Sequence, residues 1–234
     1  MSIADNLLKI ETRIQQACIR AGRNRNDITL VGVSKKHPAQ AIIEALETTN
    51  LRNFGENYVQ EYLEKRETLK DKPNAIYHLI GHLQRNKVRS LLSCPPDLIH
   101  SVDSIPLVDA LERITAELYP DKKQPILVEL RIGDENTDKT GLPPSQLAEI
   151  AEEIDRCPHI DWQGLMIIPP LGGDPEQSRP YFKQVHQLFD EINQRRSPKL
   201  TVLSYGMSDD FEVAIEEGAT HLRIGTAIFG QRIY

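Results

Sequence analysis

The stretch that decides the fold is ITLVGVSKKHPAQAIIEAL, residues 28–46. Its first part, residues 28–33, is a run of aliphatic and β-branched side chains, which is typical of a buried strand that ends near Ser34. Pro38 then suits the first turn of a helix, because its fixed φ and its missing N–H are both tolerated there. Apolar residues follow at helical spacing, namely Ile42, Ile43 and Leu46. The stretch therefore predicts one strand followed by one helix.

The same strand-and-helix unit recurs along the rest of the chain. Short apolar runs predict eight strands in all, at residues 28–33, 52–54, 76–80, 98–102, 126–132, 162–168, 200–203 and 221–224. The segments between them have apolar residues three or four positions apart, as on the buried face of a helix, and one such helix is predicted over residues 84–92. An additional helix precedes the first strand and carries on one face Ile3, Leu7, Ile10, Ile14 and Cys18. It should end near Gly22, whose missing Cβ permits a left-handed cap.

Strict alternation of strands and helices with short connections predicts a parallel sheet with the helices outside it. Eight such units close naturally into a (β/α)8 barrel, which usually takes about 250 residues. The alternative is an open, doubly wound sheet, but that fold would normally carry a glycine-rich phosphate loop after its first strand. The residues at that point are Ser34-Lys35-Lys36. We therefore predict an α/β fold, a (β/α)8 TIM barrel with an extra N-terminal helix, as a single domain over residues 1–234.

Composition excludes several classes of protein. The 234 residues are 39% hydrophobic and 26% charged, with a formal net charge of -6, which argues against disorder and against the basic face that nucleic acids require. The apolar runs are far shorter than the roughly 20 residues of a membrane-spanning helix, and the start of the chain has no signal-peptide core. The cysteines are odd in number and widely spaced, at Cys18, Cys94 and Cys157. That pattern indicates neither a disulfide framework nor a zinc site, so we expect a cytoplasmic protein. From the net charge and the short apolar runs, we expect no nucleic-acid or membrane partners.

In a barrel of this kind, function belongs to the loops at the carboxyl ends of the strands. Lys35 follows the first predicted strand directly. An ammonium beside buried aliphatic residues loses solvation, which lowers its pKa and exposes a nucleophilic amine. Such a lysine can form a Schiff base with a carbonyl substrate or with a pyridoxal cofactor. The competing interpretation is an ordinary surface lysine whose stem lies along apolar residues.

The last two strand ends carry a candidate phosphate site. Barrels often bind a phosphate there, and Ser208, Gly225 and Thr226 bring hydroxyls and accessible backbone N–H groups to these ends. Arg223 lies one residue before a strand end, which predicts that its guanidinium points into the barrel mouth. Ser208 is equally suited to cap the helix that follows it. Combined with Lys35, the pattern favours a phosphorylated aldehyde as ligand.

Three other groups of polar residues are weaker candidates. His78 and His82 are four residues apart, but Gly81 lies between them at a predicted strand end, so no metal site is predicted. Residues 134–141 form a polar loop at the mouth that is either a lid or a simple turn. A series of glutamates is expected to be mostly a solvated helix face, namely Glu44, Glu47, Glu56, Glu61, Glu64 and Glu67.

Several motifs together carry a family resemblance. In chain order they are VSK at 33–35, FGENYVQE at 54–61, HLIGHLQRNK at 78–87, GLM at 164–166, LSYGMSDD at 203–210 and RIGTAIFG at 223–230. In this combination the chain resembles the YggS/PROSC family of pyridoxal phosphate homeostasis proteins, whose fold is the N-terminal barrel of alanine racemase. The resemblance covers essentially the entire chain.

The resemblance implies a role for each candidate residue. It implies that Lys35 carries pyridoxal 5′-phosphate (PLP) as a Schiff base and that Arg223 faces the pyridine nitrogen. It further implies a phosphate cup formed by Ser208, Gly225 and Thr226. Asn57 is similar to the family residue beside the cofactor ring. Tyr205 stands where a smaller residue is common in the family, and it is expected to alter access to the cofactor.

Three functions remain open from the sequence. The leading hypothesis is a monomeric PLP-binding protein that acts in PLP and amino-acid homeostasis without substantial catalysis, with PLP-dependent apoenzymes or amino acids as further partners. The chain ends directly after the eighth unit at Tyr234, which suggests that the second catalytic domain of the racemases is missing. The first alternative is an amino-acid racemase or transaminase of low activity that uses Lys35 as its base. The second is a cofactor-free aldolase or isomerase acting on a sugar phosphate.

Overall fold

The computed structural model describes residues 2–72, 74–133, 140–170 and 173–231 of the chain. Its strands are β1 (Thr29–Val33), β2 (Asn53–Glu56), β3 (Ile76–Leu79), β4 (Leu98–Val102), β5 (Gln124–Leu130), β6 (Ile160–Ile167), β7 (Val202–Ser204) and β8 (His221–Ile224). Its helices are α1 (Ile3–Arg20), α2 (Ala39–Thr48), α3 (Val59–Thr68), α4 (Val88–Leu92), α5 (Ile105–Leu118), α6 (Leu147–Asp155), α7 (Arg179–Arg195), α8 (Phe211–Glu216) and α9 (Thr226–Phe229).

The eight strands pair in chain order and close into a barrel. All neighbours are parallel, and β1 pairs with β8 through registers such as Thr29 with His221 and Val31 with Arg223. A helix follows each strand, and the main apolar core lies where the helices pack on the outside of the strands. The predicted (β/α)8 barrel is therefore confirmed, and the open sheet is wrong.

The additional N-terminal helix, α1, begins with a capping box. The Ser2 hydroxyl accepts a hydrogen bond from the Asp5 N–H, and the Asp5 carboxylate accepts one from the Ser2 N–H. α1 packs on α8 and α9, and Arg13 and Arg20 pair with the carboxylate of Glu212 at 2.8 and 2.6 Å. No helix in the described part of the chain is long and apolar enough to cross a membrane.

Some element boundaries differ from the sequence prediction. The predicted helix at 84–92 is a 3-10 turn, Arg85–Lys87, followed by the shorter α4. β5 begins before Pro125, because a proline near the start of a strand costs little pairing. It ends at Leu130 rather than 132, because the Leu142 N–H donates to the Glu129 carbonyl at 2.8 Å and Leu142 accepts from the Arg131 N–H at 2.9 Å.

The barrel interior contains one group of apolar side chains and one group of polar side chains. One side chain from each of β4 to β7 contributes to a small apolar cluster, formed by Leu98, Leu127, Met166 and Val202. Three histidines pack against one another elsewhere in the interior, with ring centroids 5.1 to 6.2 Å apart. These interior histidines are His78, His100 and His221. Burial lowers the pKa of His78 to about 3 and that of His221 to about 4, so both rings are neutral near pH 7.

Candidate functional site

A cavity of about 560 Å³ opens at the carboxyl ends of β1, β2, β3, β6, β7 and β8. Its wall includes all of the residues that the sequence proposed for the site, which are Lys35, Asn57, Ser208, Arg223, Gly225 and Thr226. They come from four separate strand ends, and the barrel brings them together because its parallel strands all finish at one face. Further parts of the wall are His37, Ile168 and Asp209.

Lys35 stands on a tight turn between β1 and α2. The Ser34 N–H donates to the Gly55 carbonyl at 3.1 Å, which continues the β1–β2 pairing up to the turn. The His37 N–H then donates to the Ser34 carbonyl at 3.0 Å and closes the turn. Lys36 has a φ of 61°, a left-handed backbone conformation that residues other than glycine rarely adopt. Lys35 is half-buried and lines the cavity.

Asn57 follows β2, and its backbone lies against Gly81, which follows β3. A Cβ atom built on Gly81 would stand 2.3 Å from the Asn57 carbonyl oxygen and 2.7 Å from its Cα. Gly81 is itself held by the Ser101 hydroxyl, which donates to its carbonyl at 2.6 Å. The missing side chain at Gly81 therefore lets the Asn57 backbone take its place at the cavity.

Arg223 on β8 is buried and held from two neighbouring strands. Its Nη1 donates to the carbonyl and hydroxyl oxygens of Ser204 at 2.8 and 2.7 Å, and its Nη2 donates to the Ile167 carbonyl at 2.9 Å. Burial lowers the pKa of the guanidinium to about 10, so it remains a cation at neutral pH. A guanidinium has five N–H donors and these bonds engage three, so donors remain for a ligand in the cavity.

A hydrogen-bonded chain crosses the barrel interior and ends on Arg223. It joins Asn53 Oδ1 to His78, His78 to His100, and His100 to Ser204 Oγ, at 3.0, 2.9 and 2.9 Å. An amide oxygen only accepts and a guanidinium only donates, so the two ends set the direction of every bond. His78 and His100 both donate from Nε2, and the Ser204 hydroxyl donates to His100 Nδ1. Because each member has its partner, the chain holds the guanidinium in one orientation.

The structure separates the two interpretations of Ser208. α8 begins at Phe211 with Asp210 at its N-cap, so Ser208 does not cap that helix and instead lines the cavity. The Asp210 carboxylate accepts from the Met207 N–H at 2.7 Å and from the Ser178 hydroxyl at 2.9 Å, which engages its charge within the protein. The capping interpretation is therefore wrong, and Ser208 is part of the cavity wall.

Gly225 and Thr226 complete this part of the wall. A Cβ at Gly225 would lie 3.1 Å from the Val33 carbonyl oxygen, a tight contact that would require the Val33 backbone to shift by a few tenths of an ångström. Thr226, like Ser208, adds a residue with a hydroxyl to the cavity wall. Together with a primary amine and a cationic guanidinium, these groups suit a small anion that also carries a carbonyl group.

Two predictions about individual residues are wrong. Tyr205 is buried outside the cavity wall, and its hydroxyl donates to the Glu217 carbonyl at 2.7 Å. Glu56 is not on a solvated helix face but ends β2 with 1% exposure. Its Oε1 accepts from the Ser34 hydroxyl at 2.5 Å and from Lys65 Nζ at 2.7 Å. The signal for Glu56 was its place beside Asn57 at a strand end, whereas no sequence pattern indicated Lys65.

Of the weaker candidates, His78 and His82 do not line the cavity. His82 Nδ1 lies 3.3 Å from Asp103 Oδ2, while His78 is inside the barrel. Among the described residues, no three His, Cys, Asp or Glu side chains cluster as a metal ion would require. The loop predicted as a lid or a turn falls mostly on residues 134–139, which lie outside the described residues.

Comparison with known proteins agrees with this architecture. The family model for the alanine racemase N-terminal domain matches residues 6–233. An alanine racemase from Clostridium difficile has the same fold, with a TM-score of 0.71 at 18% identity over 97% of this chain and 57% of that chain. The fold and the matched region place the chain in the alanine racemase N-terminal domain family.

Two more similar proteins narrow the class. The pyridoxal phosphate homeostasis protein of Aquifex aeolicus is 43% identical over 234 residues, which is 100% of both chains. The structure of PipY from Synechococcus elongatus PCC7942 with PLP bound has a TM-score of 0.84 at 34% identity, covering 98% of this chain and 100% of that one. The chain belongs to the pyridoxal phosphate homeostasis protein family, and the resemblance inferred from the motifs is confirmed.

Proposed function

We propose that this protein binds PLP in the described cavity, holds it as a Schiff base on Lys35, and acts in PLP and amino-acid homeostasis as a carrier rather than an efficient catalyst. The observation that carries the proposal is the convergence of six residues from four strand ends on one cavity. The names of the relatives, and the PLP bound to PipY, support the choice of ligand.

The residues of the cavity fit PLP group by group. The volume of about 560 Å³ lies within the range of roughly 300–1,000 Å³ that small-molecule sites occupy. Lys35 would supply the amine for the aldehyde. Ser208, Gly225 and Thr226 would supply hydroxyls and open backbone for the phosphate, and Asn57 would lie beside the ring.

Arg223 argues against efficient catalysis, and suits racemase-like chemistry at most, because a guanidinium disfavours protonation of the ring nitrogen. Bound PLP supplies an electron sink for carbanion chemistry, and that sink is strongest when the pyridine nitrogen is protonated. Arg223 is a buried cation that can only donate hydrogen bonds, so a ring nitrogen facing it must accept and remain unprotonated. The hydrogen-bonded chain behind Arg223 keeps the guanidinium in that role.

A weak amino-acid racemase or transaminase is the second candidate, and the alanine racemase fold favours it. In that case Lys35 would serve as a single acid/base group. Incubation of the PLP-loaded protein with amino acids in deuterated water separates the two functions, because only the enzyme exchanges the α-proton steadily. Steady exchange in the wild-type protein that disappears in Lys35→Ala would favour the enzyme over the carrier.

A carrier must also release its cofactor. Lys35 is half-buried and lines the cavity, so an incoming amine could reach a ligand held there. We expect PLP-dependent apoenzymes or amino acids to accept PLP from this site, and we expect the protein to act as a cytoplasmic monomer. Reactivation of an apoenzyme by the PLP-loaded protein tests the transfer, and light scattering tests the oligomeric state.

Equilibrium titration with PLP tests the binding proposal. Lys35→Ala should lose the absorbance of the covalent adduct and at least about tenfold of the PLP affinity, or about 1.4 kcal/mol, while melting near the wild-type temperature. Lys36→Ala is the matched control, because Lys36 is exposed on the same turn and is absent from the cavity wall. Stoichiometric PLP on Lys35→Ala, reducible onto another lysine, would refute the assignment.

A further inference from the structure

Lys65 on α3 is a buried ammonium with all of its donors engaged. Only 6% of the residue is exposed. Its Nζ donates to the Ser34 carbonyl at 2.7 Å, to Glu56 Oε1 at 2.7 Å and to Glu61 Oε1 at 2.8 Å. An ammonium has three N–H groups and no acceptor, so these three bonds complete its hydrogen bonding. Lys65 does not line the cavity.

The partners of Lys65 hold the residues on both sides of Lys35. On the preceding side, the Ser34 hydroxyl donates to the same oxygen of Glu56 that Lys65 binds, at 2.5 Å. On the following side, the Lys36 backbone N–H donates to the oxygen of Glu61 that Lys65 binds, at 2.6 Å. One ammonium therefore joins the two residues that flank Lys35.

The turn around Lys35 needs such support because its backbone is strained. Lys36, with its φ of 61°, occupies the left-handed region that a Cβ atom disfavours, at a turn position where glycine is usual. A residue in that region persists only where its surroundings over-determine it. Here those surroundings are the carboxylate of Glu61, which binds the Lys36 N–H, and the ammonium of Lys65, which holds that carboxylate.

Charge makes the arrangement depend on Lys65. Glu56 is buried with its Oε2 without a hydrogen-bond partner, and burial raises the pKa of its carboxyl group while the Lys65 cation opposes that rise. Removal of the cation would leave Glu56 and Glu61 without the positive charge between them. A buried charge that loses its partner is unfavourable, so the side chains and the turn bound to them would rearrange.

We propose that Lys65 is a positioning residue for Lys35: it fixes the turn that presents the Lys35 amine to the aldehyde without touching the cofactor. This inference rests on the proposed function. If the turn without Lys65 takes its binding-competent form about one time in ten, the apparent affinity for an aldehyde ligand falls about tenfold. A ligand that binds through its phosphate and ring alone does not need the amine in place.

A comparison of two ligands tests the proposal. PLP can bond to Lys35, whereas pyridoxine 5′-phosphate has an alcohol in place of the aldehyde and cannot. Lys65→Met should weaken PLP binding about tenfold and leave the dissociation constant of pyridoxine 5′-phosphate within about twofold of wild type. Lys70→Met is the control, because Lys70 is an exposed lysine just beyond α3 that pairs only with Glu67 among the ion pairs of the described residues.

Glu61→Ala provides a second test if Lys65→Met folds poorly. It removes the acceptor of the Lys36 N–H and leaves the ion pair of Lys65 with Glu56. The same selective loss of PLP affinity is expected, with slower reductive trapping of PLP on Lys35 by cyanoborohydride.

Three results would contradict the account, and they differ from one another. If binding of both ligands weakened equally, Lys65 would have a general structural role. If binding of neither ligand weakened, Lys65 would not position Lys35. Wild-type protein that binds PLP no more tightly than pyridoxine 5′-phosphate would refute the Schiff base itself, and the proposed function would fail with it.

Discussion

Substitution of Gly81 by alanine should displace Asn57, which lines the cavity, although Gly81 itself is not part of the cavity wall. The added Cβ would lie 2.3 Å from the Asn57 carbonyl oxygen, and real Cβ atoms essentially never approach closer than 3.0 Å. The two backbones must therefore separate by at least about 0.7 Å, the difference between these distances. The Ser101 hydroxyl holds the Gly81 carbonyl, so we expect the shift to fall mainly on Asn57.

The expected cost has two parts. Overpacking of this kind destabilises a protein by about 1–3 kcal/mol. Displacement of a positioning group by about 1 Å can cost up to about a hundredfold in function, so a shift of this size should weaken PLP binding about tenfold. Urea unfolding measures the first effect and PLP titration well below the melting temperature measures the second.

Gly173→Ala is the matched control for Gly81→Ala. No atom of the described residues lies within 4 Å of a Cβ built at Gly173, and its φ is not in the left-handed region. It should bind PLP and unfold as the wild type does. Gly81→Ala with wild-type PLP affinity and stability would refute the argument that this backbone contact sets the position of Asn57.

Three further predictions concern the interior and the outer core. The interior histidines have lowered pKa values when folded and titrate near 6.5 when unfolded, so the free energy of unfolding should hold above about pH 7. Below about pH 7 the free energy of unfolding should fall as the pH falls, by up to about 1.4 kcal/mol per pH unit for each histidine. Urea unfolding at a series of pH values checks this. The same pH dependence in His221→Asn would contradict the prediction. Ser204→Ala removes the link between His100 and Arg223 and should cost about 1–3 kcal/mol of stability and several-fold in PLP affinity, and an unchanged affinity in titration would show that the chain does not hold the guanidinium. Tyr205→Phe loses one hydrogen bond and should cost about 1 kcal/mol in thermal unfolding, whereas any change in PLP affinity would return Tyr205 to the site.

The sequence predicts the barrel because its evidence is periodic and local. Each strand is an apolar run and each following helix has a face of apolar residues, so eight units are visible without any tertiary information. The site is predicted for the same reason, since the carboxyl ends of eight parallel strands must converge on one face. Lys35, Arg223 and Thr226 each stand at or just after such an end.

The residues that support the site are not predictable in the same way. Lys65 lies on a helix between glutamates, where a lysine is normally solvated. It is buried because α3 lies against the turn between β1 and α2, where Lys65 binds the Ser34 carbonyl. The hydrogen-bonded chain from Asn53 to Arg223 joins one residue from each of five strands. The separations of these residues in the sequence follow no pattern. Such contacts depend on which interior positions of the closed barrel face one another, and that is a property of register and tilt rather than of local sequence.

The measurement that tests the central claim most directly is borohydride reduction of the PLP-loaded wild-type protein, followed by peptide mapping. Reduction makes the bond between PLP and its lysine permanent, so the map names the lysine. The account predicts one equivalent of PLP on Lys35, with Lys36 unmodified. Reduction that leaves PLP on a different lysine, or a protein that takes up no PLP at all, would contradict it.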